Sequence, residues 1–248
     1  MKSVWLGFFV AATSLLVGCA HPINVLPDSI KIEQRVTGSS ERLSTTIGYY
    51  IPAELMALEV TTPGGGGDNV RYYPYRDMET GLAKLLSIDF VQVVKLTSAP
   101  AYSAQNLGSV EYVIQPELVT SSGSTGFFTW PPTNFTVDLT ANFRDSKGKL
   151  VANPRVVGVG TAETGERLSD HGFAGRRAME DALVKLHAAI REQNFVSKIK
   201  PVVVNQKPLA MDTKQTAARL TQLKDLFDKG LITKTDYDLK RKEILGDM

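Results

Sequence analysis

Strict alternation of apolar and polar residues marks one segment more clearly than any other. From Phe135 to Asp145, apolar side chains occupy every second position and polar side chains occupy the positions between them. A strand with this period presents one face to a core and the other to water. The turn-forming residues 145–149 follow, and residues 150–164 are again β-rich, so the pattern predicts a β-hairpin.

Helical periodicity appears twice between residues 45 and 195. Met78, Leu82 and Leu85 would share one face of a short helix over Asp77–Ser87. A longer helix is predicted from about Asp170 to Gln193, capped by Ser169 or Asp170. Its apolar stripe repeats every four residues and consists of Ala174, Ala178, Ala182, Leu186 and Ile190. A stripe of alanines allows a helix to approach a sheet closely.

Three further β-rich segments complete the predicted domain: residues 44–51, Phe90–Leu96 and Glu111–Val119. We therefore predict an α+β fold over residues 45–195, with a mostly antiparallel sheet of about five strands packed by two helices. Residues 19–44 are polar and lack a sustained period, so we expect a lipidated N-terminus and tether there. Residues 196–213 contain two prolines and no period, which indicates a linker.

The N-terminus has the pattern of an export signal. Lys2 precedes an apolar run, and no charged residue falls between Trp5 and Cys19. The run is too short to span a bilayer and is typical of a signal-peptide core.

The end of this run, Leu16-Val17-Gly18-Cys19, resembles the lipobox of bacterial lipoproteins. The resemblance implies cleavage between Gly18 and Cys19, removal of residues 1–18, and acyl chains such as palmitate on Cys19. Several chains would anchor the protein firmly, since each buried methylene adds about 0.8 kcal/mol. Ala20 in place of aspartate after the cysteine implies the outer membrane, with the protein facing the periplasm. The alternative is an ordinary signal peptide in which Cys19 is incidental.

The C-terminal residues 214–248 predict a two-helix hairpin. Leu220, Leu223 and Phe227 lie on one helix face, and Tyr237 and Ile244 line a second, shorter helix. This segment resembles the SHOCT family of short bacterial C-terminal domains. The resemblance implies an oligomerisation or interaction module formed by these five residues, and a homo-oligomer is one expected partner. The alternative is a solvated amphipathic tail.

The order of elements between these ends, with an alternating strand before a D-x-x-G turn and a terminal alanine-rich helix, is similar to that of periplasmic domains of envelope-assembly lipoproteins. The similarity includes curli-secretion lipoproteins and lipoprotein activators of peptidoglycan synthases. A ring-forming oligomer of the curli-secretion type would need a membrane hairpin, for which residues 120–133 are the candidate.

The charge balance and the titratable residues argue against several classes of function. The chain has 28 basic and 26 acidic residues, a near-neutral balance that argues against a nucleic-acid partner. His21, His171 and His187 are not at metal-ligand spacing, and neither H-E-x-x-H nor G-x-S-x-G occurs. We therefore expect no catalytic residues, no metal and no cofactor.

Two aromatic segments are the candidate protein-binding sites. One contains Tyr72, Tyr73 and Tyr75 between two arginines, and the other contains Phe127, Phe128 and Trp130 beside two prolines. Aromatic residues and arginine are enriched at binding hot spots. The alternative is that both segments cover the core at the open end of the sheet.

Four consecutive glycines, Gly64–Gly67, precede the tyrosine segment. Asp68-Asn69-Val70 stands where a phosphate-binding loop would carry Lys and Ser/Thr, and the third glycine of a dinucleotide fingerprint is missing. We predict a mobile hinge that leads to the tyrosines rather than a nucleotide site.

Together these patterns predict a non-enzymatic, lipid-anchored periplasmic protein that acts as a structural or accessory component of a cell-envelope assembly, in secretion, export or wall synthesis. The alternative is a lipoprotein that binds a lipid or a peptidoglycan-derived ligand in a pocket between helix and sheet.

Overall fold

A computed structural model describes residues 20–36, 41–102, 107–126, 129–193, 196, 201–203, 213–229, 233–234, 237–238 and 240–241. The chain divides into two compact units, Met1–Val203 and Val204–Met248. The described strands are β1 (Ala20–Pro22), β2 (Glu41–Tyr49), β3 (Val60–Gly65), β4 (Asp68–Tyr72), β5 (Phe90–Lys95), β6 (Tyr112–Gly123), β7 (Asn134–Asp145), β8 (Leu150–Ala152), β9 (Arg155–Thr161) and β10 (Pro201–Val203). The described helices are α1 (Ser29–Val36), α2 (Ala53–Met56), α3 (Pro74–Asp89), α4 (Thr164–Ser169), α5 (Phe173–Arg191) and α6 (Thr213–Asp228).

The larger sheet contains seven of these strands, in the order β10-β2-β6-β7-β8. Strand β5 also pairs with β2, and β9 pairs with the part of β7 that β8 leaves free. Strands β6 and β7 pair antiparallel along their whole length, from Tyr112 opposite Asp145 to Gly123 opposite Asn134. The alternation over Phe135–Asp145 therefore corresponds to β7, an interior strand of the sheet.

The α+β class is confirmed, but the sheet is mixed rather than mostly antiparallel. Strand β2 runs parallel to both β5 and β6. The chain between β2 and β5 includes helix α3, and a connection that crosses over through a helix returns the next strand in the same direction.

A second sheet of three strands has the order β1-β4-β3. Strand β1 pairs parallel with β4, with Ala20 opposite Asn69. Strands β3 and β4 form an antiparallel hairpin whose turn is the glycine run. The positive φ angles of Gly65, Gly66 and Gly67 (96°, 64° and 90°) explain why glycine occupies these positions.

The predicted tether of residues 19–44 is wrong for residues 20–36, which belong to the folded domain. Val25 and Ile32 are fully buried in the main core. Helix α1 packs against α3 and α5. Its start is capped by Asp28, whose Oδ1 accepts a hydrogen bond from Ile30 N at 2.9 Å. An eight-residue helix is too short to produce a convincing period in the sequence.

Helix α5 lies on the sheet as the alanine stripe predicts. Ala174, Ala178 and Ala182 are buried, and α5 packs against β9 and β7. The helix begins at Phe173, later than predicted, and its N-cap is Gly172 without a side-chain cap. Asp170 instead accepts a hydrogen bond from Gly172 N at 3.0 Å.

Part of the predicted linker is also structured. Residues 201–203 form β10, which pairs with β2. The boundary between the compact units falls after Val203. Within the described ranges, no helix has the length and apolar character needed to cross a bilayer.

Candidate functional site

Two of the three candidate tyrosines are core residues. Tyr72 is 1% exposed and Tyr75 is 6% exposed. The Tyr72 hydroxyl lies 2.6 Å from Thr120 Oγ1, and its ring packs against Phe135. Burial raises the pKa of Tyr72, which the hydrogen bonds from its threonine neighbours partly offset.

Tyr75 uses its hydroxyl to accept a hydrogen bond from Leu118 N at 3.0 Å. The prediction of a contact surface is therefore wrong for Tyr72 and Tyr75, and the alternative of core cover holds. Tyr73 is partly exposed, and the guanidinium of Arg76 lies 3.8 Å above its ring.

Trp130 lies between two histidine rings that are far apart in the sequence. Its ring is 4.9 Å from His21 and 4.5 Å from His171, and both contacts are edge-on. His21 Nε2 also lies 3.3 Å from Asp68 Oδ2. No spacing rule could have found this cluster, because the two histidines are 150 positions apart in the sequence and only the fold brings them together. Phe127 and Phe128 lie outside the described residues.

The glycine turn packs directly against the loop that carries Trp130. A Cβ atom on Gly64 would lie 3.1 Å from Trp130 Nε1, and one on Gly65 would lie 2.1 Å from Thr129 O. Ser124 Oγ donates a hydrogen bond to Gly64 O at 3.1 Å. The turn is thus a tight, packed hairpin, and the prediction of a mobile hinge is wrong.

One open cleft is lined by residues of this loop, and a second lies beside His171, which contacts Trp130. The larger has a volume of about 700 Å³ and is lined by polar residues that include Thr125, Thr129, Thr133, Thr161, Thr164 and Arg167. Arg167 is already engaged, because its Nη1 donates to Trp130 O at 2.6 Å. The smaller cleft, of about 340 Å³, lies between residues 22–24 and 169–172.

Buried acids hold the N-terminal segment in a groove between α3 and α5. Asp77 Oδ2 accepts a hydrogen bond from Val25 N at 3.3 Å, and Glu180 Oε1 accepts one from Asp28 N at 3.1 Å. Burial raises the pKa of Asp77, although the Val25 hydrogen bond and the charge of Arg76 oppose the shift. Both carboxylates therefore have a structural role.

Three glycines make room for the same segment. A Cβ atom on Gly172 would lie 1.9 Å from Asn24 O, and one on Gly175 would lie 2.3 Å from Val25 Cγ1. A Cβ atom on Gly81 would lie 2.7 Å from Pro27 Cγ. The groove is shaped for residues 24–27 rather than for a ligand.

His187 is placed at a third buried acid. Asp89 is fully buried, and its Oδ1 lies 2.9 Å from both Arg191 Nε and His187 Nδ1. Arg191 also donates to Glu41 O at 2.8 Å. This cluster ties the end of α5 to the end of α3. No group of three or more potential metal ligands occurs within the described part of the chain.

Helix α5 also covers the outer edge of β9. Three side chains, which we name the edge ladder, contact free backbone groups of that strand: Arg177 donates to Thr161 O (2.9 Å), Asp181 accepts from Val159 N (3.0 Å) and Lys185 donates to Val157 O (2.8 Å). Covering an edge in this way blocks pairing with another strand.

The face of the large sheet opposite α5 carries exposed apolar residues. Val119, Val157 and Val159 are 71%, 46% and 51% exposed. The pairing register places Val119 and Val157 on either side of Asp138 of β7. We call this surface the open face. In the sequence, the open face is indicated by valines at the solvent-facing positions of β9.

The predicted oligomerisation residues lie in the second unit. Leu223 is buried and Leu220 is partly buried on α6. The rings of Phe227 and Tyr237 pack at 4.9 Å, and Tyr237 N donates to Thr233 O at 3.0 Å. Ile244 lies outside the described residues. The oligomerisation role of this group stays a prediction.

Comparison with known proteins assigns no family. No family model matches the chain, and no curated protein matches it. The resemblances to lipoprotein signals and to the SHOCT family therefore remain predictions from the sequence.

Several solved structures are similar to the chain at a low level. A minor lipoprotein from Acinetobacter baumannii is 12% identical, with a TM-score of 0.38 over 64% of this chain and 98% of its own. A protein of the DUF330 family model from Xanthomonas campestris is 10% identical, with a TM-score of 0.36 over 70% of this chain and 90% of its own. A protein from Caulobacter crescentus CB15, proposed to be a lipoprotein, is 14% identical, with a TM-score of 0.32 over 69% and 98%. Similarities at this level do not assign a function.

Proposed function

We propose that the chain is a lipid-anchored, non-catalytic protein of the bacterial cell envelope, held at the outer membrane and facing the periplasm. It acts as a structural or accessory component of an envelope assembly through protein–protein contacts. The observation that carries the proposal is the Leu16–Cys19 lipobox pattern, in which Cys19 is the only cysteine of the chain. An acylated Cys19 leaves no thiol for a disulfide or for catalysis.

The roles of the buried acids support a non-catalytic protein. Asp77 and Glu180 hold the backbone of the N-terminal segment, and Asp89 is engaged by Arg191. A catalytic acid or base would need to face a substrate site within hydrogen-bond reach. These three groups instead join elements of the fold.

The open face is the surface that we propose for a protein partner. Its valines are exposed, and the edge ladder prevents the neighbouring edge of β9 from adding a strand. Contact through side chains of the sheet face is therefore favoured over strand addition. Arg155 and Asp138, joined by hydrogen bonds of 2.8 and 2.5 Å, add a charged pair to the same face.

The proposal has two separable tests. Cys19→Ala should abolish palmitate labelling and release the protein from sedimented membranes, and a variant that stays bound like the wild type would contradict the anchor. A photo-crosslinking residue at Val157 should give a discrete adduct with an envelope protein in intact cells.

The matched control for the crosslink is Ile30, which is 66% exposed on α1, a helix that packs against α5 rather than on the open face. A crosslinker there should give no such adduct, and Val159→Asp should remove the adduct formed at Val157. Equal labelling at both positions would contradict a specific partner surface.

A C-terminal interaction module is the second part of the proposal. Removal of residues 214–248 should lower the mass in solution from that of an oligomer to that of a monomer. An unchanged mass would leave the module without an oligomeric role.

Ligand binding is the second candidate function, and the large cleft favours it. The close contact of α5 with β9 leaves no room for a ligand between helix and sheet, where the sequence placed the pocket. The cleft lies instead beside Trp130, and its five threonines suit a hydroxylated ligand such as a peptidoglycan glycan better than an apolar lipid. Calorimetric titration with soluble peptidoglycan fragments tests this, and absence of heat would exclude it.

A further inference from the structure

The first described residue, Ala20, directly follows the proposed anchor and already belongs to a strand. Ala20 is the first residue of β1 and pairs with Asn69 of β4. Consecutive Cα atoms are about 3.8 Å apart, so the backbone of Cys19 can reach no further than one residue from this sheet. The lipid therefore has no tether that could lift the domain away from the bilayer.

The pairing of Ala20 also fixes which end of the domain carries the lipid. Asn69 follows directly after the glycine turn, so the chain enters beside Gly65–Asp68. Next to this turn lie Trp130 and the two histidines in contact with it, His21 and His171. We name this group, from His21, Gly65–Asp68, Trp130 and His171, the anchor end.

We propose that the anchor end lies against the phospholipid head groups, so that the domain is fixed in one orientation with the far end of the large sheet directed into the periplasm. This inference rests on the lipid anchor proposed above. It goes beyond that proposal because it assigns a second, non-covalent contact with the membrane and the residues that make it.

The chemistry of the anchor end suits a head-group layer. Tryptophan is enriched at membrane interfaces because its ring is apolar and its indole N–H is polar. Trp130 is half-buried, and its Nε1 is itself buried against the glycine turn, so the exposed part of its ring is hydrocarbon. Asp170 at this end forms an ion pair with Arg176, and Asp68 lies 3.3 Å from His21.

The large sheet provides the distance that separates the two ends. Strands β6 and β7 each run for 12 residues away from the loop that carries Trp130. Leu150 pairs with Arg144, near the other end of β7. At about 3.4 Å per residue, Leu150 lies roughly 30 Å from the anchor end. If the orientation is fixed, a tryptophan at position 130 and one at position 150 therefore lie at different distances from the bilayer.

Trp130 allows a direct measurement. The chain has two tryptophans, and Trp5 is in the segment that signal cleavage removes, so Trp130 is the sole tryptophan of the processed protein. The lipidated protein is reconstituted into phosphatidylethanolamine/phosphatidylglycerol vesicles that contain a head-group spin-labelled phosphatidylcholine. We expect Trp130 to lose most of its emission through short-range quenching by the spin label.

The matched control moves the reporter to the far end. Trp130→Phe combined with Leu150→Trp should keep nearly all of its emission in the same vesicles. Quenching that is equal at the two positions would overturn the fixed orientation, and so would the absence of quenching at Trp130. A flexible Gly/Ser insertion between Cys19 and Ala20 should reduce quenching of Trp130, and unchanged quenching would show that the direct connection has no role.

Two readouts separate this inference from the anchor itself. Flotation of the cell-derived protein with vesicles tests acylation, and protein that fails to float contradicts the anchor. Coupling the Cys19 thiol of lipid-free protein that lacks residues 1–18 to a maleimide lipid then tests the orientation independently, because Cys19 is the only cysteine. Flotation without quenching of Trp130 overturns only the membrane contact proposed in this section.

Discussion

Gly160 of β9 faces Ala178 of α5 so closely that the glycine has no space for a side chain. A Cβ atom on Gly160 would lie 2.5 Å from Ala178 N and 2.0 Å from Ala174 O. Gly158 of the same strand approaches α5 one helical turn further on, since its Cβ would lie 2.2 Å from Ala178 O. The helix therefore rests on the backbone of β9, where glycine and alanine meet.

Gly160→Ala should destabilise the domain, because the added methyl group must push α5 away from the sheet. Overpacking of this kind costs about 1–3 kcal/mol. Urea unfolding followed by circular dichroism measures the loss. The control is Gly165→Ala in α4, where a Cβ atom meets nothing within 4 Å, and the free energy of unfolding should not fall. Equal losses in both variants would contradict the close approach.

We expect Asp181 to stabilise the fold at the edge of β9, where it accepts a hydrogen bond from Val159 N. Burial raises the pKa of Asp181, but the hydrogen bonds from Lys185, Val159 N and Arg35 outweigh it and lower the pKa below the ordinary 3.8. A lowered pKa contributes stability above pH 3.8 that is lost as the pH falls through the lowered value. Asp181→Ala should therefore cost about 1 kcal/mol at neutral pH and progressively less under acid conditions.

Unfolding by urea at neutral and acid pH gives this comparison, and light scattering reports whether the uncovered edge of β9 promotes aggregation. Glu192→Ala, at the exposed end of the same helix, is the matched control and should change neither quantity. If the free energy of unfolding differs between the wild type and Asp181→Ala by the same amount at every pH, the charged form of Asp181 is not the source of the stabilisation.

The strongly periodic elements could be predicted from the sequence, and the close approaches could not. The alternation over Phe135–Asp145 and the alanine stripe of α5 each require only local spacing, and the structure confirms both. Residues 19–44 predict a tether because they are polar and lack a period. The prediction is wrong for residues 20–36 because Gly81 and Gly175, which lie on other elements, make room for this segment. A space formed by distant glycines leaves no pattern in the segment that fills it.

The aromatic segments show the same limit for the candidate site. Tyr72 and Trp130 look alike in the sequence, each beside a proline or an arginine. The strand period of β4 decides that Tyr72 points into the core, whereas Trp130 is placed by a loop between β6 and β7. Its two histidine neighbours come from opposite ends of the domain sequence, so only the fold reveals the anchor end.

The stabilisation contributed by Asp77 should depend on pH in the opposite direction to that contributed by Asp181. Burial raises its pKa above the ordinary 3.8, so the charged form is disfavoured in the folded state. A raised pKa means that the stability of the wild type relative to Asp77→Asn is greatest below pH 3.8 and declines as the pH rises through the raised value. At neutral pH we expect Asp77→Asn to unfold no more easily than the wild type.

Asp77→Ala is the companion variant. It removes the acceptor of Val25 N, a backbone group of a buried residue, and should cost about 1–3 kcal/mol at neutral pH. Urea unfolding of both variants across the acid range measures the two effects. If Asp77→Asn is as unstable at neutral pH as Asp77→Ala, the negative charge rather than the hydrogen bond holds the segment.

The glycine turn allows backbone strain and side-chain clash to be measured separately. Gly65 (φ 96°) and Gly67 (φ 90°) both have backbone angles that favour glycine, but a Cβ atom on Gly65 would lie 2.1 Å from Thr129 O, whereas one on Gly67 meets nothing within 4 Å. Gly67→Ala should therefore cost only the strain, about 1–2 kcal/mol. Gly65→Ala should cost about 1–3 kcal/mol more, because the loop must move.

Emission from Trp130 distinguishes the two effects in the folded state. Displacement of the loop by Gly65→Ala should expose the indole ring and shift its emission to longer wavelength, while Gly67→Ala should leave the spectrum unchanged. The same displacement should weaken quenching of Trp130 by head-group spin labels, because the ring would leave its place beside His21. Equal stability losses with unchanged spectra would mean that the glycines serve only the backbone angles of the turn, and that the loop does not depend on them for its position.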